Sequence, residues 1–139
     1  MGTWDTGTFD NDDAGDWASE LADSSDLSVV VSALAPREVE GSYLEAPEGV
    51  HILCAAEVVA ALKRSPAADL PDEVKRWVEE HGSLDVNPLL EKTIAMIDRV
   101  LGEHSEIHEL WSENEELFPV WRDRVLDLRA RLARAAGGS

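Results

Sequence analysis

The stretch Val50–Arg64, VHILCAAEVVAALKR, constrains the fold of this chain more than any other. Eleven of its fifteen residues are apolar, and they leave no broad polar stripe at helical spacing. A helix that is apolar nearly all round must be covered on several sides, so other helices have to surround it. Alanines at 55, 56, 60 and 61 let neighbours approach closely, and β-branched Val58 and Val59 do not forbid a helix. Glu57 is the sole charge in the middle of the stretch. A carboxylate taken out of water has to be compensated, so Glu57 is expected to be largely buried and to accept at least two hydrogen bonds. The N-terminal loop is the favoured donor, with an indole N–H or an arginine as alternatives. No nucleophile or metal motif accompanies it. Glu57 therefore reads as a structural buried carboxylate ahead of a general acid or base with a raised pKa.

The rest of the chain supplies the neighbours. Residues 1–9 read as an ordered loop anchored by Trp4 and Phe9, with Gly2 and Gly7 at its turns. Asp10 or Asn11 can cap a first helix, on which Ala14, Trp17, Ala18 and Leu21 share a face. Leu27, Val30, Val31 and Leu34 repeat the pattern before Pro36, although Ser28–Val31 also fits a short strand. Residues 36–49 form the longest irregular connection, pinned by Tyr43 and Leu44, and the central helix spans about 50–64, ended by Ser65-Pro66. Pro71 with Asp72 and Glu73 opens a helix whose Val74, Trp77, Val78 and His81 share a face up to Gly82. Asn87-Pro88 reads as a capping side chain before a proline at the first helical position, followed by Leu90, Ile94, Ile97 and Leu101 on one side. Ser105 restarts a helix carrying Ile107, Leu110 and Trp111. The last helix carries Leu117, Trp121, Val125, Leu128 and Leu132, and the tail is disordered over about 136–139. The expected fold is all-α: a compact orthogonal array of six or seven short helices around the buried helix at about 50–64. Residues 1–139 are expected to form one acidic domain.

Charge narrows the function classes. The chain has 29 acidic and 12 basic residues, a net charge of −17, which disfavours nucleic-acid phosphates and anionic membranes and favours basic partners or plain solubility. A single cysteine, Cys54, excludes an internal disulfide framework. The first twenty residues are acidic with no apolar run, so no signal peptide is expected. The apolar stretch at 50–62 is too short to span a bilayer. Together these point to a cytoplasmic protein.

Three arrangements look chemical and are better explained by structure. Asp10, Asp12 and Asp13 followed by Gly15 resemble a calcium loop, but Ala14 stands at position five and Leu21 at position twelve, where ligand oxygens belong. His104 and His108 have zinc spacing, yet the metalloprotease pattern requires glutamate where Ser105 stands, and Ser105 looks like a cap that breaks the shared face. His51 and Cys54 pair a base with a thiol, but Cys54 sits in the most apolar stretch and reads as a core thiol. No catalytic residue, cofactor or metal is expected.

Several blocks resemble a bacterial family known as domain of unknown function 4259. They are Trp4, Gly7, Phe9-Asp10-Asn11-Asp12 and Trp17; Tyr43-Leu44-Glu45-Ala46-Pro47-Glu48; Ala55-Ala56-Glu57-Val58-Val59-Ala60-Ala61; and Ser105, Glu109, Leu110, Trp111 and Trp121 before an arginine-leucine tail. Asp5 stands where the pattern leads one to expect glycine. The resemblance spans nearly the whole chain. It implies a small bacterial helical domain and no particular activity.

The leading expectation is a non-enzymatic binding protein, of which an immunity or inhibitor-type protein is one case, engaging a basic protein partner through its acidic N-terminal half. Residues 1–48 hold twelve acidic side chains and one basic, Arg37. Asp10, Asp12, Asp13, Asp16, Glu20 and Asp23 are the candidate partner-binding residues. The alternative is a small enzyme or small-molecule binder using Glu57 with Glu45, Glu48 or Asp10 in a cleft.

Overall fold

A computed structural model of the chain describes residues 12–35, 43–67 and 70–137. Within them the chain forms seven α-helices and no strand: α1 Asp12–Ala22, α2 Ser28–Ala33, α3 Ala46–Leu62, α4 Asp72–Glu80, α5 Leu90–Val100, α6 Glu106–Ser112 and α7 Phe118–Gly137. The protein is all-α, as its periodicities predict. The ordered loop expected over residues 1–9, the Asp10 or Asn11 cap and residues 36–42 of the expected irregular connection lie outside the described residues.

α3 touches each of the other six α-helices. Thirteen of its seventeen residues are buried, Glu57 among them. A helix with no polar face is stable only when neighbours cover every side, and here they do. It begins at Ala46 rather than near residue 50. Pro47 in its first turn needs no N–H partner there, and the Glu48 side chain reaches back to accept from the Glu45 N–H at 3.1 Å. At the other end, Arg64 adopts the left-handed conformation (φ 67°) that closes a helix, and the Ser65 N–H donates to the Ala60 carbonyl at 2.9 Å.

The junction of α3 and α6 is close. Leu44 and Ser105 form an isolated parallel bridge, with the Leu44 N–H donating to His104 O at 2.7 Å and the Glu106 N–H donating to Leu44 O at 2.9 Å. The Ala46 N–H then donates to Glu106 Oε1 at 2.8 Å. Gly49 makes the approach possible, because a Cβ there would lie 2.8 Å from Ile107 Cγ2.

The buried stripes of α1 (Ala14, Trp17, Ala18, Leu21) and α7 (Trp121, Val125, Leu128, Leu132) follow the spacing read from sequence. Ser28–Val31 is helical, not a strand, and Val31 is 44% exposed while Val30 and Leu34 are buried. On α5 the buried set is Leu90, Thr93, Met96, Ile97 and Val100, so the core face is rotated away from Ile94 and Leu101. Thr93 enters the core because its hydroxyl donates to the Leu89 carbonyl at 2.6 Å, which removes the cost of burying it. Asn87 does not cap α5. It opens a 3₁₀ turn, Asn87–Leu89, and its side-chain oxygen accepts from Lys63 Nζ at 2.6 Å. Leu110 is 48% exposed and leaves Ile107 and Trp111 to anchor α6.

Candidate functional site

Glu57 is 5% exposed, and its partner comes from α7, 74 residues further on. Arg131 donates from Nη1 to Oε1 at 3.1 Å and from Nη2 to Oε2 at 3.4 Å. The same guanidinium donates to the Ser65 carbonyl at 2.9 Å and to Asp127 Oδ2 at 2.9 Å. Burial works against the charge on Arg131, but Glu57 and Asp127 outweigh it and hold the guanidinium above its ordinary pKa. Of the donors expected for Glu57, the arginine is therefore present. The favoured N-terminal loop lies outside the described residues. Arginine keeps its proton at physiological pH, so Arg131 has none to exchange, and the pair acts as a clamp between α3 and α7.

Glu45 and Glu48 do not join Glu57. Glu45 precedes α3 and Glu48 lies in its first turn. Nine residues of helix separate Glu48 from Glu57, roughly 13 Å at 1.5 Å per residue. The fourth member of that expected cleft, Asp10, lies outside the described residues. Cys54 is fully buried; burial pushes its thiol pKa well up, and the nearby Glu57 and Asp13 carboxylates add to the effect. A protonated thiol shut away from solvent is a packing group. Ser105 caps α6, accepting from the His108 N–H at 3.4 Å, so His104 precedes the helix and does not share its face. His108 instead packs edge-on against Phe118, with ring centroids 5.4 Å apart. Leu21 is buried, so the twelfth position of the supposed calcium loop faces the core.

The acidic residues of α1 lie opposite its buried stripe. Asp12, Asp16, Glu20 and Asp23 are exposed and Asp13 is half-buried, while Asp10 lies outside the described residues. Neither α1 nor the short turn after it carries a basic side chain. Among the described residues, the ion pairs join α3, α5 and α7, and none involves these five carboxylates.

Beside this stripe lies an open cavity of about 240 Å³ between α1, α2 and α3. Trp17 and Glu20 of α1, Ser28, Val29, Ser32 and Ala33 of α2, and His51 of α3 line it. Sequence reasoning missed this site. The available signal was His51, which shares with Glu57 the distinction of being polar inside the apolar stretch.

A family model described as "Domain of unknown function (DUF4259)" matches residues 2–124. The chain belongs to this family. The family match contains α1 to α6, Glu57 and every residue of the cavity, whereas Arg131 lies beyond it. No curated protein and no solved structure matches the chain. No helix among the described residues is long and apolar enough to cross a membrane.

Proposed function

We propose that the protein is a non-enzymatic binding module of the bacterial cytoplasm that engages a basic protein partner through the acidic side of α1. The observation that carries this reading is the exposed stripe Asp12, Asp16, Glu20 and Asp23, which no basic side chain among the described residues neutralises. Folding alone gives no reason for it. Like charges three and four residues apart on a helix repel by a few tenths of a kcal/mol per pair. The helix dipole offsets this for Asp12 and Asp13 in the first turn, but not for Glu20 and Asp23 beyond it. A partner with the opposite charge turns this repulsion into attraction and speeds the encounter. An immunity protein or inhibitor that neutralises a cationic toxin or nuclease has this character.

The test is a pull-down from the native organism with the wild type and with an Asp16→Asn/Glu20→Gln/Asp23→Asn variant, followed by stopped-flow association with the captured partner. Neutralising the stripe should slow association about ten-fold, and added salt should slow the wild type similarly. A partner whose on-rate is indifferent to both uses another surface, and the stripe then serves solubility.

A further inference from the structure

We propose that the cavity between α1, α2 and α3 is an anchor site that receives an arginine side chain from the partner. This rests on the proposed function and names the chemistry of its contact. Glu20 belongs to both the acidic stripe and the cavity lining, so the cavity opens where the stripe's field would draw a cation. It is lined by Glu20, the exposed Ser28 and Ser32, the half-buried His51 and Val29, and the buried Trp17. Among the described residues, no lysine or arginine lines it. Among the described residues, Glu20, Ser32 and His51 have no side-chain partner of their own, whereas Ser28 already bonds to Asp26.

The composition of the lining selects the ligand. An anion would meet Glu20 within a chain of net charge −17, and a purely apolar group would leave a carboxylate and a hydroxyl unanswered. A guanidinium answers both. Its planar fork suits the Glu20 carboxylate in bidentate geometry, and its remaining N–H groups can donate to the Ser32 hydroxyl. Val29 offers an apolar surface to the methylene stem. A lysine ammonium is more strongly hydrated and has no planar fork, so it fits less well. The volume, about 240 Å³, accommodates one such side chain.

Amide-resonance NMR titration of the full chain with N-acetyl-arginine amide tests this, with the neutral isostere N-acetyl-citrulline amide as control. Saturable shifts at Val29, Ser32 and His51 are expected, with a midpoint of about a millimolar. Citrulline should bind about ten-fold more weakly or worse, as should the Glu20→Gln variant to arginine. Ser32→Trp, which fills the cavity from an exposed helix position, should abolish the shifts while the circular dichroism spectrum stays helical. The proposal is overturned if citrulline shifts these resonances equally, if nothing saturates, or if the response follows Asp12, Asp16 and Asp23 and survives Ser32→Trp. An Asp16→Asn/Asp23→Asn variant separates the two readings, because it should slow partner association while leaving arginine-amide binding intact. Salt-dependent partner association without arginine binding would remove the anchor and leave the acidic-surface reading standing.

Discussion

Replacing Glu57 by alanine should destabilise the protein by about 3 kcal/mol, the lower part of the range for orphaning a buried charge. Two charged groups about 4 Å apart attract by about 4 kcal/mol at an effective dielectric of 20, before desolvation is counted. Arg131, whose side chain is 11% exposed, would lose that attraction without returning to water. It would keep the Ser65 carbonyl and Asp127, but Asp127 is 66% exposed and screened, so compensation is partial. For a chain of this length the loss corresponds to a melting point lower by roughly 10 °C. Arg131→Ala should also destabilise, because a carboxylate that is 5% exposed then loses its bidentate arginine. The double replacement Glu57→Leu/Arg131→Leu should recover most of the loss, since nothing charged remains unpaired. Urea unfolding followed by circular dichroism on the wild type, the two single leucine variants and the double variant gives the coupling directly, and the double variant is expected to lose less than either single. If Glu57→Ala melts like the wild type, or the two losses simply add, the pair is not the clamp described above.

Tyr43 is the single tyrosine, so its phenolate absorbance can be titrated without overlap. Its hydroxyl donates to Glu109 Oε2 at 2.5 Å, and that bond, with burial and the Glu109 and Glu106 charges behind it, pushes the pKa up to about 12 from 10.0. The folded value exceeds the unfolded one, so the stabilisation is fully present below pH 10 and is lost as pH rises towards 12. A native midpoint near 10, or one unmoved by Glu109→Gln, would show that the bond does not persist in solution. Gly49→Ala should destabilise by about 1–2 kcal/mol despite alanine's higher helix propensity, because the new methyl meets β-branched Ile107. Ile107→Ala should remove that penalty in the double variant, and a fully additive pair in urea unfolding would refute the contact.

What was legible in the sequence is what one helix decides by itself. The all-round apolar character of α3 and the stripes of α1 and α7 are local periodicities, and each reappears as buried surface. Errors arose where a distant group changed a residue's prospects. On α5 the difference is local: Thr93 is buried with its hydroxyl on Leu89 O, and Leu90 and Ile97 keep their expected places in the core. Asn87 looked like a cap, but Lys63 takes its oxygen. The burial of Glu57 could be read from its neighbours, whereas Arg131 could not be picked from the arginines of α7 by that reasoning. One cue was present: Arg131 lies between Leu128 and Leu132, at the edge of the buried stripe, where a long side chain can reach inward. The cavity was illegible because it forms only where three helices meet.

The bridge between Leu44 and Ser105 sets the first turns of α3 and α6 side by side, which brings two positive helix ends together. Glu48, Glu106 and Glu109 stand in those first turns. They answer the two ends in kind, and Glu106 bonds across from one helix to the other. The negative charge of this chain is therefore of two sorts. Part of it is mortar, set between helices, and replacing it by amides would loosen the joint. The stripe on α1 binds no masonry of this kind among the described residues, and it can be altered with little harm to the fold. A net charge of −17 overstates what the molecule holds out to others. Part of what remains exposed lies along α1, beside the cavity between α1, α2 and α3.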